Sequence, residues 1–139
     1  MALTLDQATI AKLAEHLENA ELQIHDVTKI TDDYPNMDWD DAYAIQDEIK
    51  RRKLARGNKI AGLKAGLTSR AKMKQMGVET PVFGFIADYM SVPDGGEVKF
   101  DELIHPKVEA EICVVTKAPL RGPGQLLLLG LQGFYRCFY

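Results

Sequence analysis

The sequence has little of several features that would place it in a special class. Cysteine occurs only at Cys113 and Cys137, which is too few for a disulfide framework. With no signal-like N-terminus, this predicts a reducing, cytoplasmic location. The longest apolar stretch falls well short of the ~20 residues of a membrane-spanning helix. The net charge of −3 offers nothing to attract nucleic acid or an anionic membrane, so neither is expected as a partner.

The composition is that of an ordinary globular protein. Hydrophobic residues make up 46% and charged residues 27% of the 139 residues, which argues against disorder and allows a real core. The first part of the chain carries helical signals. Thr4, followed by Gln7, has the form of a capping box and predicts a helix from about Leu5 to Glu21. Asp38 predicts the N-cap of a second helix that ends at Gly57, with a loop or short irregular connection between the two helices.

A lysine between two glycines is the first candidate functional residue. The stretch from Ile60 to Leu67 predicts a strand on which Gly62, Lys64 and Gly66 share one face. Because glycine has no side chain, the ammonium group of Lys64 would stand over open backbone that a ligand can approach. Such an amine can act as an acid or hold an anion if burial tunes its pKa. The sequence leaves an equal alternative open, a surface lysine on an edge strand weakened by glycine.

The middle of the chain predicts several short elements. Ser69 is expected to cap a short helix that ends at Gly77. A strand is expected over Thr80 to Ile86. Pro93-Asp94-Gly95-Gly96 predicts a turn, followed by a short strand near Val98 and Phe100.

Two glutamates one residue apart are the second candidate. The run from Val108 to Val115 is rich in β-branched residues and predicts a buried or half-buried strand, so Glu109 and Glu111 would share a face roughly 7 Å apart. Two such carboxylates entering an apolar layer need compensation, and Mg²⁺ or Mn²⁺ prefers carboxylate oxygens. The alternative is a sheet edge whose glutamates face water, and the triplet alone does not decide between them.

Longer stretches of the sequence resemble a known family. From about Leu13 to Gly124 the chain is similar to the hydratase/decarboxylase family of the fumarylacetoacetate hydrolase superfamily, and within it to the 4-oxalocrotonate decarboxylases. The stretches that carry the resemblance are NAELQIHDVTKITDDYP, DAYAIQDEIKRRKLARGNKI, GLKAGLTSRAKMKQMGVETPVFGFIADYMSVPDGG and HPKVEAEICVVTKAPLRGPG. The related vinylpyruvate (2-hydroxypentadienoate) hydratases differ more between the lysine strand and the EAEI strand, which favours a decarboxylase.

The resemblance implies a fold and a set of site residues. It implies an α+β fold in which N-terminal helices (residues 1–57) pack on a mixed β-roll or sandwich, whose first part is 58–124. It makes Glu109 and Glu111 two of three carboxylate ligands to Mg²⁺ or Mn²⁺, and Lys64 the active-site lysine. Lys64, Gly66 and Thr68 are expected to bind a small dicarboxylate substrate. A homo-oligomer, and a complex with the vinylpyruvate hydratase of the same pathway, are the implied assemblies.

The family pattern stops after Gly124. Residues 125–139 contain a four-leucine run and no Asp or Glu, whereas the relatives continue and supply their third carboxylate ligand from a later strand. We expect an altered or foreign end, so that the β-roll is incomplete, and the alternative is a genuine short terminal strand. Three functions follow: a carboxy-lyase of the meta-cleavage pathway for aromatic compounds, the corresponding hydratase, and a non-catalytic truncated relative that persists as a folded fragment or a self-associating module.

Overall fold

The computed structural model describes residues 3–116 and a short strand at 134–135. The chain divides into two compact units, Met1–Ile104 and His105–Tyr139, and each is described by itself. The predicted altered end, residues 125–139, lies outside the described residues except for the backbone of that short strand. The predicted boundaries 1–57, 58–124 and 125–139 remain a prediction.

Among the residues that the structure describes, the first unit contains four α-helices and two strands, and the second contains one pair of short strands. In chain order they are α1 (Gln7–Gln23), α2 (Ile30–Asp33), α3 (Trp39–Ala55), β1 (Ile60–Gly66), α4 (Arg70–Met76), β2 (Val82–Ala87), β3 (Cys113–Val114) and β4 (Phe134–Tyr135). β1 pairs with β2, and β3 with β4, both antiparallel. Helices with small antiparallel sheets make the α+β class that the sequence predicts. No helix in the described part of the chain is long and apolar enough to cross a membrane.

The core of the first unit lies between α1 and α3. Ile10, Leu13 and Ala14 of α1 pack with Ile45 of α3, and all four are buried. The three residues of α1 recur at the three- and four-residue spacing that places side chains on one face of a helix. Burial of this stripe explains why α1 and α3 lie side by side.

The predicted N-cap of α1 is wrong. Asp6 caps the helix, and its Oδ1 accepts a hydrogen bond from the Thr9 backbone N–H at 2.7 Å. Thr4 is drawn instead to the buried Asp41 of α3, to which it donates through its backbone N–H at 2.9 Å and its hydroxyl at 2.5 Å. The helix therefore starts two residues later than the Thr4 cap predicts.

The predicted start and end of α3 are confirmed. The Asp38 side chain accepts from the Asp41 backbone N–H at 3.0 Å, and the Asp41 side chain accepts from the Asp38 N–H at 3.1 Å, which completes a capping box. Gly57 follows the helix with a φ of +93°, the left-handed conformation that glycine adopts without steric cost.

Hydrogen bonds to Asp41 join the N-terminal segment to α3, and we expect them to weaken in acid. Burial raises the pKa of Asp41, but hydrogen bonds from Thr4, Asp38 and Leu5 outweigh it and lower the pKa to about 2 from 3.8. A carboxyl whose pKa is depressed in the folded state adds stability above its unfolded pKa, and that stability is lost as the pH falls. We therefore expect the contribution of Asp41 to be full above about pH 4 and to fade between pH 4 and pH 2.

Urea unfolding of the Asp41→Asn variant at several pH values from 2 to 6 checks this expectation. The variant should be less stable than the wild type at pH 6, and the two should converge toward pH 2. Asp40→Asn is the matched control, because it removes one charge from the same helical turn while the bonds between Thr4 and Asp41 stay in place. A constant difference between wild type and Asp41→Asn across the whole range would contradict the expectation.

Ion pairs also join α1 to the C-terminal end of α3. Glu18 is buried, and its carboxylate lies 2.6 Å from Arg52 Nε and 2.8 Å from Arg56 Nη2. Burial raises the pKa of Glu18, but the two guanidinium groups outweigh it and hold the pKa below its ordinary value. A buried carboxylate needs such partners, because an unpaired buried charge is strongly destabilising.

A second polar cluster ties the end of β2 to both long helices. Lys53 is only 1% exposed, and its Nζ lies 2.7 Å from Glu21 and 2.6 Å from the Tyr89 hydroxyl. The Tyr89 hydroxyl also donates to Glu21. Burial lowers the pKa of Lys53, and its bonds to Glu21 and Tyr89 more than reverse this, so the amine stays charged. Basic residues at the end of α3 therefore fix tertiary structure in addition to complementing the helix dipole.

Most short elements are confirmed, with two corrections. Ser69 caps α4, and Gly77 follows it with a φ of +69°. The turn at Pro93–Gly96 forms through a 2.8 Å bond from the Gly96 N–H to the Pro93 carbonyl. The predicted strand near Val98 and Phe100 is wrong, since Phe100–Glu102 forms a 3-10 turn. The connection between the first two long helices contains the single turn α2, which the sequence did not predict.

Candidate functional site

Lys64 lies on β1, and its neighbours on the strand pair are glycines. Gly62 and Gly66 flank it along β1, and its cross-strand partner on β2 is Gly84. Residues directly opposite each other in an antiparallel pair project to the same face. No side chain therefore stands next to Lys64 along its strand or directly across from it. The sequence predicted the first two glycines but missed Gly84, whose only signal was a glycine inside the apolar run that became β2.

The opposite face of the β1–β2 pair is apolar and exposed. Leu63 is 80% exposed and Phe83 is 60% exposed, and both belong to the set that alternates with Lys64 and Gly84. Lys64 is also exposed. Burial around the amine, one of the two predicted interpretations, is therefore not found among the described residues.

Two side chains of α3 hold the backbone of β2 beside Gly84. The Tyr43 hydroxyl accepts from the Phe83 N–H at 3.2 Å, and Gln46 Nε2 donates to the Phe83 carbonyl at 3.3 Å. Tyr43 and Gln46 are three residues apart and so lie on one side of the helix. Their bonds satisfy polar groups of a strand edge that would otherwise be open to pairing.

The predicted substrate-binding residues follow Lys64 directly. Gly66 ends β1, and a Cβ at this position would lie 3.1 Å from Val82 Cγ2, which is a tight fit. Leu67 has a φ of +55°, a left-handed conformation that is uncommon for a bulky residue and is found where the surrounding structure requires it. Thr68 is exposed in the turn between this residue and α4.

Glu109 and Glu111 lie in the second unit, and both are exposed. The predicted strand from Val108 to Val115 is only partly formed: Ala110 makes an isolated β-bridge, and Cys113–Val114 is a strand that pairs with Phe134–Tyr135. Val108 is 90% and Ile112 is 82% exposed, so the expected burial of this run is wrong for the described residues. The physical reason is that a strand is held by a partner, and among the described residues only Ala110 and Cys113–Val114 of this run show β pairing.

The donor chemistry of these two glutamates fits a hard divalent cation. Carboxylate oxygens are the ligands that Mg²⁺ and Mn²⁺ prefer, and water can fill the remaining positions. Glu109 and Glu111 are also the only acidic residues from 105 to 139. Over residues 3–116, no three His, Cys, Asp or Glu side chains are grouped so as to hold a metal ion. The predicted roles of Glu109 and Glu111 as metal ligands therefore remain a prediction.

The predicted site residues fall into both units. Lys64, Gly66 and Thr68 are adjacent in the first unit, at the end of β1. Glu109 and Glu111 are one residue apart in the second. Each group is close together within its own unit.

Comparisons with known proteins first find similarity to a class of enzymes. No family model matches the chain. It is 38% identical over 118 residues to 2-oxo-hept-4-ene-1,7-dioate hydratase from Escherichia coli, covering 85% of this chain and 44% of the relative. The chain is therefore similar to enzymes that are named for unsaturated oxo acids.

The similarity is higher to two 4-oxalocrotonate decarboxylases. The chain is 68% identical over 124 residues to 4-oxalocrotonate decarboxylase from Pseudomonas putida, covering 89% of this chain and 47% of the relative. The solved structure of 4-oxalocrotonate decarboxylase from Pseudomonas putida G7, complexed with magnesium and adipate, matches with a TM-score of 0.83 and 66% identity. That match covers 88% of this chain and 47% of the solved chain. The predicted resemblance to 4-oxalocrotonate decarboxylases is confirmed, and the chain spans about half the length of these relatives.

Proposed function

We propose that this chain is a metal-dependent carboxy-lyase that converts 4-oxalocrotonate (2-oxohex-3-enedioate) to 2-hydroxypenta-2,4-dienoate and CO₂ in the meta-cleavage degradation of aromatic compounds. The observation that carries the proposal is the difference in similarity. Identity is 68% and 64% to two 4-oxalocrotonate decarboxylases and 38% to a hydratase over similar shares of this chain, whereas a further 4-oxalocrotonate decarboxylase is 37% identical. The relative solved with magnesium and adipate, a saturated six-carbon dicarboxylate, supports the same substrate class.

Decarboxylation leaves an electron pair on the substrate, and the negative charge that results must be stabilised. The bond between C5 and C6 breaks, CO₂ leaves from C6, and the electron pair moves through the double bond to the 2-oxo oxygen, where one proton is taken up. A bound divalent cation supplies positive charge that stabilises negative charge at such an oxygen. Glu109 and Glu111 would hold Mg²⁺ or Mn²⁺ through their carboxylates.

The first unit would hold and orient the substrate. Lys64 carries a positive charge and three donors on a glycine-lined face, so it suits one carboxylate of a dicarboxylate or the transfer of a proton. Gly66, whose lack of a side chain lets β1 pack against Val82, would contact the substrate through its backbone, and the hydroxyl of Thr68 adds a donor. The left-handed Leu67 between them supports this assignment, because such conformations cluster at binding sites.

The finer structural and cellular expectations are part of the proposal. They are a β-roll of fumarylacetoacetate hydrolase type, a homo-oligomer, a complex with the vinylpyruvate hydratase and a cytoplasmic location. The TM-score of 0.83 to a 4-oxalocrotonate decarboxylase supports the fold. The exposed Leu63 and Phe83 support association, since apolar surface of this kind tends to be covered by a partner.

Turnover by the purified full chain tests the function. We expect 2-oxohex-3-enedioate to be consumed and CO₂ released with Mg²⁺ or Mn²⁺, and neither to occur after chelation. A parallel assay offers 2-hydroxypenta-2,4-dienoate and measures its hydration. Hydration without decarboxylation would replace the proposal with the hydratase, and absence of both reactions would identify a non-catalytic relative, the alternative that the exposed Lys64, Glu109 and Glu111 favour.

A further inference from the structure

We infer that Gln46 of α3 is a positioning residue for Lys64, and that it acts through Gly84, the residue opposite Lys64. The inference rests on the proposed function in one respect, that Lys64 acts on the substrate. The residues involved all belong to the first unit: Gln46, Phe83, Gly84 and Lys64.

The register of β1 with β2 places Gly84 directly opposite Lys64, so the residue at position 84 determines what lies beside the lysine. Lys64 pairs with Gly84, and Ala65 pairs with Phe83. The Cβ atoms of directly opposed residues in an antiparallel pair lie about 4.5–5.5 Å apart, so any side chain at position 84 would stand beside the stem of Lys64. With glycine there, the space next to the lysine is bounded by the backbone of β2.

Gln46 bounds that same space from the side of α3. A Cβ built on Gly84 would lie 3.4 Å from Gln46 Oε1, which is ordinary van der Waals contact. Gln46 therefore covers Gly84 on the face that also carries Lys64. The residue is half-buried, and it lines a shallow groove of about 180 Å³ between α3 and β2.

The same amide also fixes the strand. Gln46 Nε2 donates to the Phe83 carbonyl at 3.3 Å, immediately before Gly84. Glycine in a strand has no side chain to pack and gives the backbone more freedom, so β2 needs external contacts at this point. Gln46 provides one of them and Tyr43 the other. Loss of the amide should let the backbone opposite Lys64 shift while the core between α1 and α3 remains.

The Gln46→Met variant tests the inference, because methionine keeps the length of the side chain and removes its hydrogen bond. We expect kcat/KM for 2-oxohex-3-enedioate to fall about 3- to 10-fold, the range that one hydrogen bond supports. Gln75→Met in α4 is the matched control, since it makes the same change at an exposed glutamine. Thermal unfolding of both variants monitors the fold.

Two measurements separate positioning from a merely structural role. In a double-mutant cycle, Gln46→Met should cause no further loss in a Lys64→Met background, and full additivity would overturn the inference. In NMR spectra of the reductively ¹³C-methylated full chain, the Lys64 signal should shift in Gln46→Met but not in Gln75→Met. An unchanged Lys64 signal would overturn the inference whether or not the wild type turns over substrate, whereas a wild type without turnover but with a shifted signal would refute the proposed function alone.

Discussion

Replacement of Lys64 by methionine is expected to lower kcat/KM for 2-oxohex-3-enedioate by roughly 10²-fold or more. Methionine preserves most of the side-chain volume but removes the positive charge and the exchangeable protons. A positioned acid or base typically contributes 10²- to 10⁴-fold to a rate. Because Lys64 is exposed and lies among glycines on the β1–β2 face, the substitution should leave the core between α1 and α3 unchanged. Steady-state kinetics and thermal unfolding of the same preparation measure both effects.

The Lys64→Arg variant distinguishes the two roles that remain open for the lysine. Arginine keeps the charge and donates well to carboxylates, but it does not release a proton near neutral pH. Recovery of activity in Lys64→Arg indicates that the residue holds a carboxylate, and a loss equal to that of Lys64→Met indicates proton transfer. Lys59→Met, an exposed lysine just before β1, is the control. Wild-type kinetics in Lys64→Met would remove Lys64 from the proposed site.

Signals confined to a few neighbouring residues were sufficient to predict several elements. The Asp38 cap of α3, the Ser69 cap of α4 and Gly77 after it all involve partners within four residues. Short-range bonds of this kind depend on residue type and spacing, so the sequence predicts them before any tertiary structure is known.

Contacts between residues far apart in the sequence could not be predicted from such short-range signals. Thr4 has the residue type of a cap, yet its hydroxyl and N–H bind Asp41, 37 positions away. Gly84 becomes the neighbour of Lys64 only through the register of β1 with β2, and Gln46 reaches that pair only because α3 packs on β2. The glycines beside Lys64 along β1 can therefore be predicted from the sequence, whereas the glycine opposite it on β2 is a result of the fold.

The EAEI stretch shows the limit of strand propensity. Its β-branched residues predict a strand over Val108 to Val115, but propensity in a strand largely reflects packing against neighbours. In the described chain only a bridge at Ala110 and the two-residue strand Cys113–Val114 form within this run. The donor types of Glu109 and Glu111 follow from the sequence, whereas their burial does not.

Replacement of Glu109 or Glu111 by glutamine is expected to weaken Mn²⁺ binding by at least roughly tenfold and to abolish metal-dependent turnover. Glutamine preserves the shape of the side chain and one carbonyl oxygen, but it removes the negative charge that draws a hard cation. Changes to residues that only orient metal ligands already cost 10- to 100-fold, so loss of a ligand carboxylate should cost no less. Titration of the full chain followed by Mn²⁺ electron paramagnetic resonance measures binding without any need for activity.

The two glutamates should be equivalent in this test if they share one ion. They are the only acidic residues from 105 to 139, so no neighbouring carboxylate in that segment can take over the place of either one. The loss of Mn²⁺ affinity in the double variant should then not exceed the product of the losses in the two single variants, because both carboxylates bind the same ion. Glu97→Gln, an exposed glutamate of the first unit, is the control for a general loss of negative charge. Equal Mn²⁺ binding by the wild type, Glu109→Gln and Glu97→Gln would show that the EAEI stretch is a solvated segment and that the metal, if bound, has other ligands.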